Sequence, residues 1–172
     1  MEGLCELCPR RCGVDRREKA GRCGCGREVK VARAALHFWE EPCISGSRGS
    51  GTVFFSGCPL RCVYCQNYKI SRGHTGKEIS VERLAEVFLE LQSKGAHNIN
   101  LVTATPYVPQ VISALKLARP ALKIPVVYNS SGYERVETLR ALKGFVDVYL
   151  PDLKYMSSEL ARRYSGAADY FE

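Results

Sequence analysis

The sequence predicts an α/β protein with parallel strands, because short apolar runs alternate with helical patterns through residues 49–172. Four strand-helix units follow one another there, and such a series requires right-handed crossovers. Polar, Gly and Pro residues follow each of the four apolar runs. The units fit an open sheet or part of a barrel, and in both arrangements the carboxyl ends of the strands carry the functional residues.

The predicted elements begin with a strand in "GTVFFSG" and a helix in "SVERLAEVFLELQSKG", which Ser80 caps and Gly95 ends. One face of this helix is apolar, which predicts that it packs on the sheet. That face consists of Leu84, Val87, Phe88 and Leu91. The later strands are predicted in "NINLVT", "IPVVYNS" and "VDVYLPDL", and the later helices in "VPQVISALKLA", "ERVETLRALKG" and "SSELARRYSG".

Residues 1–48 form a predicted N-terminal segment that is rich in Cys, Arg and Gly. Its cysteines begin with a C-x2-C-x3-C run, and two more follow a basic loop. Four of them, Cys5, Cys8, Cys12 and Cys23, are predicted to close a metal site, with Cys25 as the alternative fourth ligand. The spacing suits both zinc and a second [4Fe-4S] cluster; the cluster is the first interpretation, zinc the second and uncoordinated thiols the third.

Composition indicates a cytoplasmic protein without a membrane span. The 172 residues contain no apolar run of the roughly 20 residues that a span requires, and the N-terminus lacks the apolar region of a signal peptide. Nine cysteines in such a chain indicate metal or redox chemistry rather than disulfides. The net charge of +7 comes from basic residues scattered among acids, so we expect solvated faces and no nucleic-acid partner.

The stretch "SGCPLRCVYCQN" places Cys58, Cys62 and Cys65 directly after the first predicted strand. Structural zinc sites are closed by four ligands, whereas reactive centres keep one position open. On a [4Fe-4S] cluster, three thiolates leave one iron for a molecule with an amino and a carboxylate group. S-adenosylmethionine is such a molecule; a zinc knuckle or buried free thiols are the alternative.

This run, with an aromatic residue before its last Cys, looks like the signature of radical S-adenosylmethionine enzymes. More narrowly, "LCPRRCGV", "WEEPCISG", "GSGTVFFSGCPLRCVYCQNYKIS" and "NINLVT" resemble proteins related to pyruvate formate-lyase activating enzyme that carry an N-terminal Cys-rich segment. The resemblance implies a partial (β/α) TIM-like barrel of six units, of which residues 49–172 supply about four. The fourth strand is then expected to be an unpaired edge that associates with other chains.

The resemblance also implies an activity. A reduced cluster cleaves S-adenosylmethionine to methionine and a 5'-deoxyadenosyl radical, which takes a hydrogen atom, with a glycine of a partner protein as one target. An electron donor such as flavodoxin or ferredoxin is the implied second partner. A small-molecule, peptide or RNA substrate is the alternative for the same chemistry. A zinc-stabilised basic binding module without catalysis is the alternative from another class.

The resemblance also implies which residues bind the cofactor, at the positions of this sequence that match the motifs of the family. Tyr64 is expected beside the adenine. Thr103 and Thr105 lie in "TATP", where the activating enzymes usually show Gly-Gly-Glu-Pro around the amino group of S-adenosylmethionine. This sequence offers no acid there, so we expect hydroxyl and backbone oxygens to accept from the ammonium.

Polar residues after the third and fourth strands are matched in the same way. Asn129 and Ser130 are expected near the methionine carboxylate, although the family usually has an Asp, which helps to hold a cation, in place of Asn129. Lys154 is expected to neutralise that carboxylate while Asp152 orients it or holds a cation. These two lie two residues apart, and therefore on one strand face.

A few further residues are expected to be structural or solvent-facing. Gly132 is predicted to supply a positive φ in a turn. Cys43 is predicted to be a small buried residue. The three histidines, His37, His74 and His97, show no ligand spacing and are predicted to be structural or solvent-facing.

Overall fold

A computed structural model describes residues 4–73 and 75–172, so His74 lies outside the described residues. The strands are β1 (Val29–His37), β2 (Ser50–Phe55), β3 (Lys77–Ile79), β4 (Ile99–Val102), β5 (Val126–Ser130) and β6 (Val148–Pro151). The helices are α1 (Pro42–Ser45), α2 (Tyr68–Ser71), α3 (Val81–Ser93), α4 (Val108–Ala118), α5 (Val136–Ala141) and α6 (Ser158–Ser165). A 3-10 turn at Thr105–Tyr107 precedes α4.

One mixed sheet of six strands organises the described residues, in the order β3-β1-β2-β4-β5-β6. Strands β2, β4, β5 and β6 are parallel neighbours, which confirms the four predicted strand-helix units and the partial barrel. Strands β1 and β3 were not predicted, and both pair antiparallel. Since β1 lies within residues 1–48, the sheet continues across the boundary that the sequence suggests at residue 48.

Helix α3 shows how local sequence positions the core. The Ser80 hydroxyl accepts a hydrogen bond from the backbone N–H of Arg83 at 3.1 Å, as expected of an N-cap. The four predicted apolar residues of α3 are all buried. Gly95 follows with φ +87°, in the left-handed region that favours glycine.

The two faces of β4 point to different environments. Ile99 and Leu101 are fully buried in the core with α3 and α4. Successive side chains alternate along a strand, so Asn100 and Val102 face the opposite, concave side of the sheet. Helices α3 and α4 therefore cover the outer side of the half-barrel, and the concave side holds the cavity described below.

Three further positions complete the comparison with the sequence. Cys43 is exposed, so its predicted burial is wrong, because it lies in the short surface helix α1. Strand β6 lies at an edge of the sheet, as expected. No helix in the described part of the chain is long and apolar enough to cross a membrane.

Candidate functional site

The loop that carries Cys58, Cys62 and Cys65 leaves the carboxyl end of β2 through Gly57. Gly57 has φ +85°, and a Cβ built on it would lie 2.1 Å from the Cys25 sulfur. Any side chain at this position would therefore be both strained and in collision. Gly57 lets the chain turn at the strand end so that the three cysteines follow at the rim.

Hydroxyl groups from two helices contact the cysteine sulfurs. Ser165, at the end of α6, donates to Cys62 Sγ at 2.9 Å, and Ser71 Oγ lies 3.3 Å from Cys65 Sγ. Burial raises the pKa of the Cys58 thiol to about 12, and the neighbouring thiols Cys62 and Cys65 add to the rise. Cys58 is therefore protonated when free, and metal binding must release its proton.

A cavity of about 630 Å³ opens in front of these sulfurs on the concave side of the sheet. All three cysteines line it. Six of the seven predicted cofactor residues line it as well, namely Tyr64, Thr103, Asn129, Ser130, Asp152 and Lys154. The carboxyl ends of β2, β4, β5 and β6 thus contribute to one site, as parallel strands require.

Thr105 is the predicted site residue that the structure does not bring to this cavity. The 3-10 turn carries it behind the rim, where it is buried and donates through Oγ1 to Glu134 Oε1 at 2.6 Å. Thr103 just before it lines the cavity with φ +58°, a left-handed conformation that is uncommon for a residue other than glycine. Such local strain often occurs at functional sites.

Asp152 and Lys154 follow β6 and form a charged pair that lines the cavity. Lys154 Nζ lies 2.5 Å from Asp152 Oδ2, and both side chains are partly exposed. Burial lowers the pKa of Lys154, but the hydrogen bond and charge of Asp152 outweigh it, so the pKa is raised overall. Lys154 therefore carries a full positive charge at the cavity wall.

Gly132 and Tyr170 hold this end of the rim in place. Gly132 has φ +75°, as predicted, and a Cβ there would lie 2.3 Å from the carbonyl oxygen of Asp152. The Tyr170 hydroxyl donates to the Ser131 carbonyl at 2.8 Å and accepts from the Lys154 backbone N–H at 2.9 Å. The loops after β5 and β6 are thereby joined.

Tyr64 extends along the wall between two of the cysteines. Its hydroxyl donates to the Tyr155 hydroxyl at 2.6 Å, and its ring is about half exposed. The hydrogen bond anchors the tip of the side chain while leaving the ring face available to a planar group.

Two carboxylates near the site were not identified from the sequence. Glu40 follows β1 and lines the cavity, where Asn129 Nδ2 donates to its Oε2 at 3.2 Å. Glu134 follows β5 and lies behind the rim, accepting from Thr105 and, at 3.2 Å, from the Tyr128 hydroxyl. Burial raises the pKa of Glu134 to about 7. The segment "WEEPCISG" was the available signal for Glu40, whereas Glu134 carried none.

The N-terminal cysteines surround a second, much smaller cavity of about 10 Å³. Its sulfur-bearing wall consists of Cys5, Cys8, Cys12 and Cys23, the four predicted ligands. A Cβ built on Gly21 would lie 3.6 Å from the sulfurs of both Cys12 and Cys23. Within the described ranges, no group of three or more His, Cys, Asp or Glu side chains has an arrangement that could hold a metal ion.

Cys25 differs from these four thiols in its surroundings. It is buried in the main core, and its thiol donates to the Ser56 carbonyl at 3.4 Å. A hydrogen bond from Cys25 lowers the pKa of Cys23 to about 6, and the same contact raises the pKa of Cys25. Cys23 is therefore the more readily deprotonated of the two, as a thiolate ligand must be.

The small cavity adjoins the loop of the first cysteine set. Pro59, which directly follows Cys58, forms part of its wall. Arg10 donates through Nε to the Pro59 carbonyl at 3.0 Å and through Nη2 to the Ser165 carbonyl at 3.1 Å. The N-terminal segment is thus attached directly behind the rim.

Comparison with known proteins agrees with this geometry. The chain is 35% identical over 176 residues to uncharacterized protein MJ0674 of Methanocaldococcus jannaschii, a match that covers 98% of this chain and 50% of that protein. The chain therefore spans about half the length of the curated relative it matches. The sequence model of the Radical SAM superfamily matches residues 52–172, which include the three cysteines, most of β2 and the whole of β4, β5 and β6. The chain belongs to the radical SAM superfamily.

Proposed function

We propose that this chain is part of an activating-enzyme-like radical S-adenosylmethionine enzyme whose radical removes a hydrogen atom from a glycine of a partner protein. Superfamily membership establishes the coarser part, an enzyme that uses a [4Fe-4S] cluster and S-adenosylmethionine. The observation that carries the proposal is the convergence of three thiols and the polar ends of parallel strands on one cavity.

The residues at the cavity fit these cofactors. Cys58, Cys62 and Cys65 would hold the cluster, and three protein ligands leave one iron for S-adenosylmethionine. When bound and reduced, the cluster supplies the electron that cleaves S-adenosylmethionine to methionine and the 5'-deoxyadenosyl radical. Ser71 and Ser165 hydrogen-bond to two of the sulfurs, and such bonds tune the potential of a cluster.

The remaining rim residues would bind and orient S-adenosylmethionine. Lys154 offers a full charge to the methionine carboxylate, and Asn129 and Ser130 offer neutral donors beside it. The carbonyl and hydroxyl oxygens of Thr103 would accept from the ammonium, while Tyr64 offers a ring face to the adenine. Thr105 supports the loop through Glu134 and is not assigned a cofactor contact.

We propose two partner proteins, a protein substrate and an electron donor. The resemblance to activating enzymes favours a glycine-bearing protein as substrate and a flavodoxin or ferredoxin as electron donor. All nine cysteines are free thiols, which suits a reducing compartment such as the cytoplasm.

We also propose that Cys5, Cys8, Cys12 and Cys23 bind a second metal centre, either zinc or an iron-sulfur cluster. Residues 4–28 contain no helix or strand, so a metal would stabilise a segment that lacks a core of its own. The cavity holds about one water-sized sphere, which favours a single zinc ion. Its contact with Pro59 favours a cluster that passes electrons to the neighbouring site.

Metal analysis of anaerobically purified protein separates these two forms. A second cluster predicts iron beyond the content of one [4Fe-4S] cluster, and Cys8→Ala should lower that excess while the first cluster keeps its absorption. Zinc in a one-to-one ratio with protein would decide for the structural ion. If the protein contains neither zinc nor iron beyond the content of the first cluster, the second metal centre is refuted.

The proposed activity is tested after anaerobic reconstitution with iron and sulfide. Reductive cleavage of S-adenosylmethionine to 5'-deoxyadenosine would distinguish the enzyme from a zinc-stabilised binding module. Deuterium transfer into 5'-deoxyadenosine from a labelled extract, followed by fractionation, identifies the hydrogen donor. Transfer from a small-molecule or RNA fraction, rather than from protein glycine, would refute the activating-enzyme assignment while leaving the radical chemistry intact.

A further inference from the structure

Basic residues that lie far apart in the sequence gather on the outside of the cysteine loop, residues 58–65. Arg61 belongs to this loop, and its Nη2 donates to the carbonyl of Arg22 at 2.9 Å. Arg72 Nη2 donates in turn to the carbonyl of Arg61. All three arginines are exposed, so the fold concentrates their charges on one area of the surface.

Helix α6 adds Arg162 and Arg163 to this area, and both are exposed. The last turn of α6 lies against the cysteine loop, because the backbone N–H of Val63 donates to the carbonyl of Tyr164 at 2.8 Å. Segments from three distant parts of the chain thus contribute cations to one region, the arginine surface. The arginine surface consists of Arg22, Arg61, Arg72, Arg162 and Arg163.

Acidic residues do not offset this charge. Residues 42–77, which include the whole cysteine loop, contain no Asp or Glu. Among the residues that the structure describes, none of the five arginines forms an ion pair with a carboxylate. Charges of one sign repel one another and attract oppositely charged proteins, so the arginine surface favours an anionic partner.

The cysteine loop forms a thin wall between the arginine surface and the cavity. Cys62 and Tyr64 line the cavity, whereas Arg61 and Val63, which alternate with them, are exposed and lie outside its lining. Val63 is 66% exposed, although it is apolar. Protein interfaces combine apolar contacts with a charged rim, and this loop offers both. A partner on the outer side would therefore approach the cysteine sulfurs across one layer of chain.

We propose that the arginine surface, together with Val63, docks an acidic protein that delivers single electrons to the cluster. The inference rests on the cluster and electron donor of the proposed function, and it assigns the donor its surface on this chain. The cavity side of the loop is assigned to S-adenosylmethionine, so the donor approaches from the outer side. One electron leaves the donor and enters the cluster, and no atom is transferred.

The test follows reduction of the reconstituted cluster by an acidic flavodoxin in its hydroquinone form, without S-adenosylmethionine. Anaerobic stopped-flow absorbance records the bleaching of the cluster and gives a second-order rate constant. Salt is raised from about 10 mM to about 1 M, over which the Debye length falls from about 30 Å to about 3 Å. We expect the rate constant to fall at least about tenfold, because charge steering raises association rates by about 10-fold to 1000-fold.

Arg61→Glu should lower the rate constant at low salt by about tenfold and weaken its dependence on salt. Arg72→Glu, outside the cysteine loop, should act in the same direction and keeps the test valid where Arg61→Glu fails to assemble the cluster. Arg119→Glu is the matched control. Arg119 is also exposed and also donates to a backbone carbonyl, that of Gly144 at 3.2 Å, but it ends α4 at the opposite ends of the strands. This control should keep the rate constant and its dependence on salt.

Reduced methyl viologen separates docking from damage to the cluster. This small cation needs no docking surface, so it should reduce the cluster of every variant at a similar rate. Calorimetry with oxidised flavodoxin measures docking without electron transfer, and therefore tests the surface even if no cluster forms. Reduction and cleavage of S-adenosylmethionine are measured in separate experiments, so failure of the docking surface and failure of the proposed function are distinguishable.

Three outcomes would overturn the proposal. One is a rate constant that does not depend on salt. Another is an equal loss in Arg119→Glu, which would indicate an effect of net charge alone. The third concerns a single-stranded RNA oligonucleotide that binds the protein and loses affinity in Arg61→Glu. If a saturating amount of it leaves reduction by flavodoxin unchanged, the arginine surface binds nucleic acid instead.

Discussion

Glu134→Gln is expected to remove a pH-dependent loss of stability that the buried carboxylate causes. Burial raises the Glu134 pKa from 4.5 to about 7. The folded state therefore keeps a proton that the unfolded state releases between these values, and the free energy of unfolding falls as pH rises through this window. The full shift corresponds to about 3 kcal/mol, present as a penalty above pH 7 and absent below pH 4.5.

The substitution keeps the shape and an acceptor for Thr105 and Tyr128, so the loop behind the rim should stay in place. Urea denaturation followed by circular dichroism at pH 5 and pH 8 measures the effect. The free energy of unfolding of the variant minus that of the unaltered protein should be about 2 to 3 kcal/mol larger at pH 8 than at pH 5.

The control is Glu137→Gln on the exposed side of α5. Its own backbone N–H and the charge of Arg135 lower the pKa of Glu137, so this substitution should lose stability, not gain it, at neutral pH. A stability difference between Glu134→Gln and the unaltered protein that does not change with pH would refute the assignment of a buried, proton-retaining carboxylate.

Two further predictions concern the cavity and the N-terminal thiols. Lys154→Ala should weaken S-adenosylmethionine binding more than Thr105→Ala does, since charge-assisted hydrogen bonds contribute about 1.5 to 3 kcal/mol against about 1 for neutral ones, and Thr105 faces away from the cavity. Equal losses in calorimetric titrations would place Lys154 elsewhere. Cys23→Ala should lower the content of the second metal, whereas Cys25→Ala should leave it unchanged but reduce stability, because Cys25 is packed in the core. Metal loss in Cys25→Ala with full retention in Cys23→Ala would reverse the ligand assignment.

The parallel half of the fold was predictable because its signals are local. Ser80 and the apolar face of α3 specify a helix within one short segment, and the strands of the four units are continuous apolar runs. Strand β1 was missed because basic residues such as Arg33 interrupt its apolar pattern, and β3 because it has only three residues. Both strands are stabilised by pairing partners distant in sequence.

The site was predictable where a residue follows its strand directly. Cys58 and Asn129 reach the cavity for this reason, since parallel strands place their ends together. Thr105 does not, because the left-handed backbone at Thr103 and the 3-10 turn redirect the chain. Glu40 lies 89 positions from Asn129, the residue that holds it, and no local pattern encodes such a contact.

Reductive cleavage of S-adenosylmethionine by single-cysteine variants tests the central claim most directly. Cys58→Ala, Cys62→Ala and Cys65→Ala should each abolish formation of 5'-deoxyadenosine, because two thiolates cannot hold the cluster with one open iron. The control Cys43→Ala removes an exposed thiol outside both cysteine sets and should retain the activity. Retained cleavage in any of the three variants, measured anaerobically with an excess of reductant, would contradict the assignment of this site.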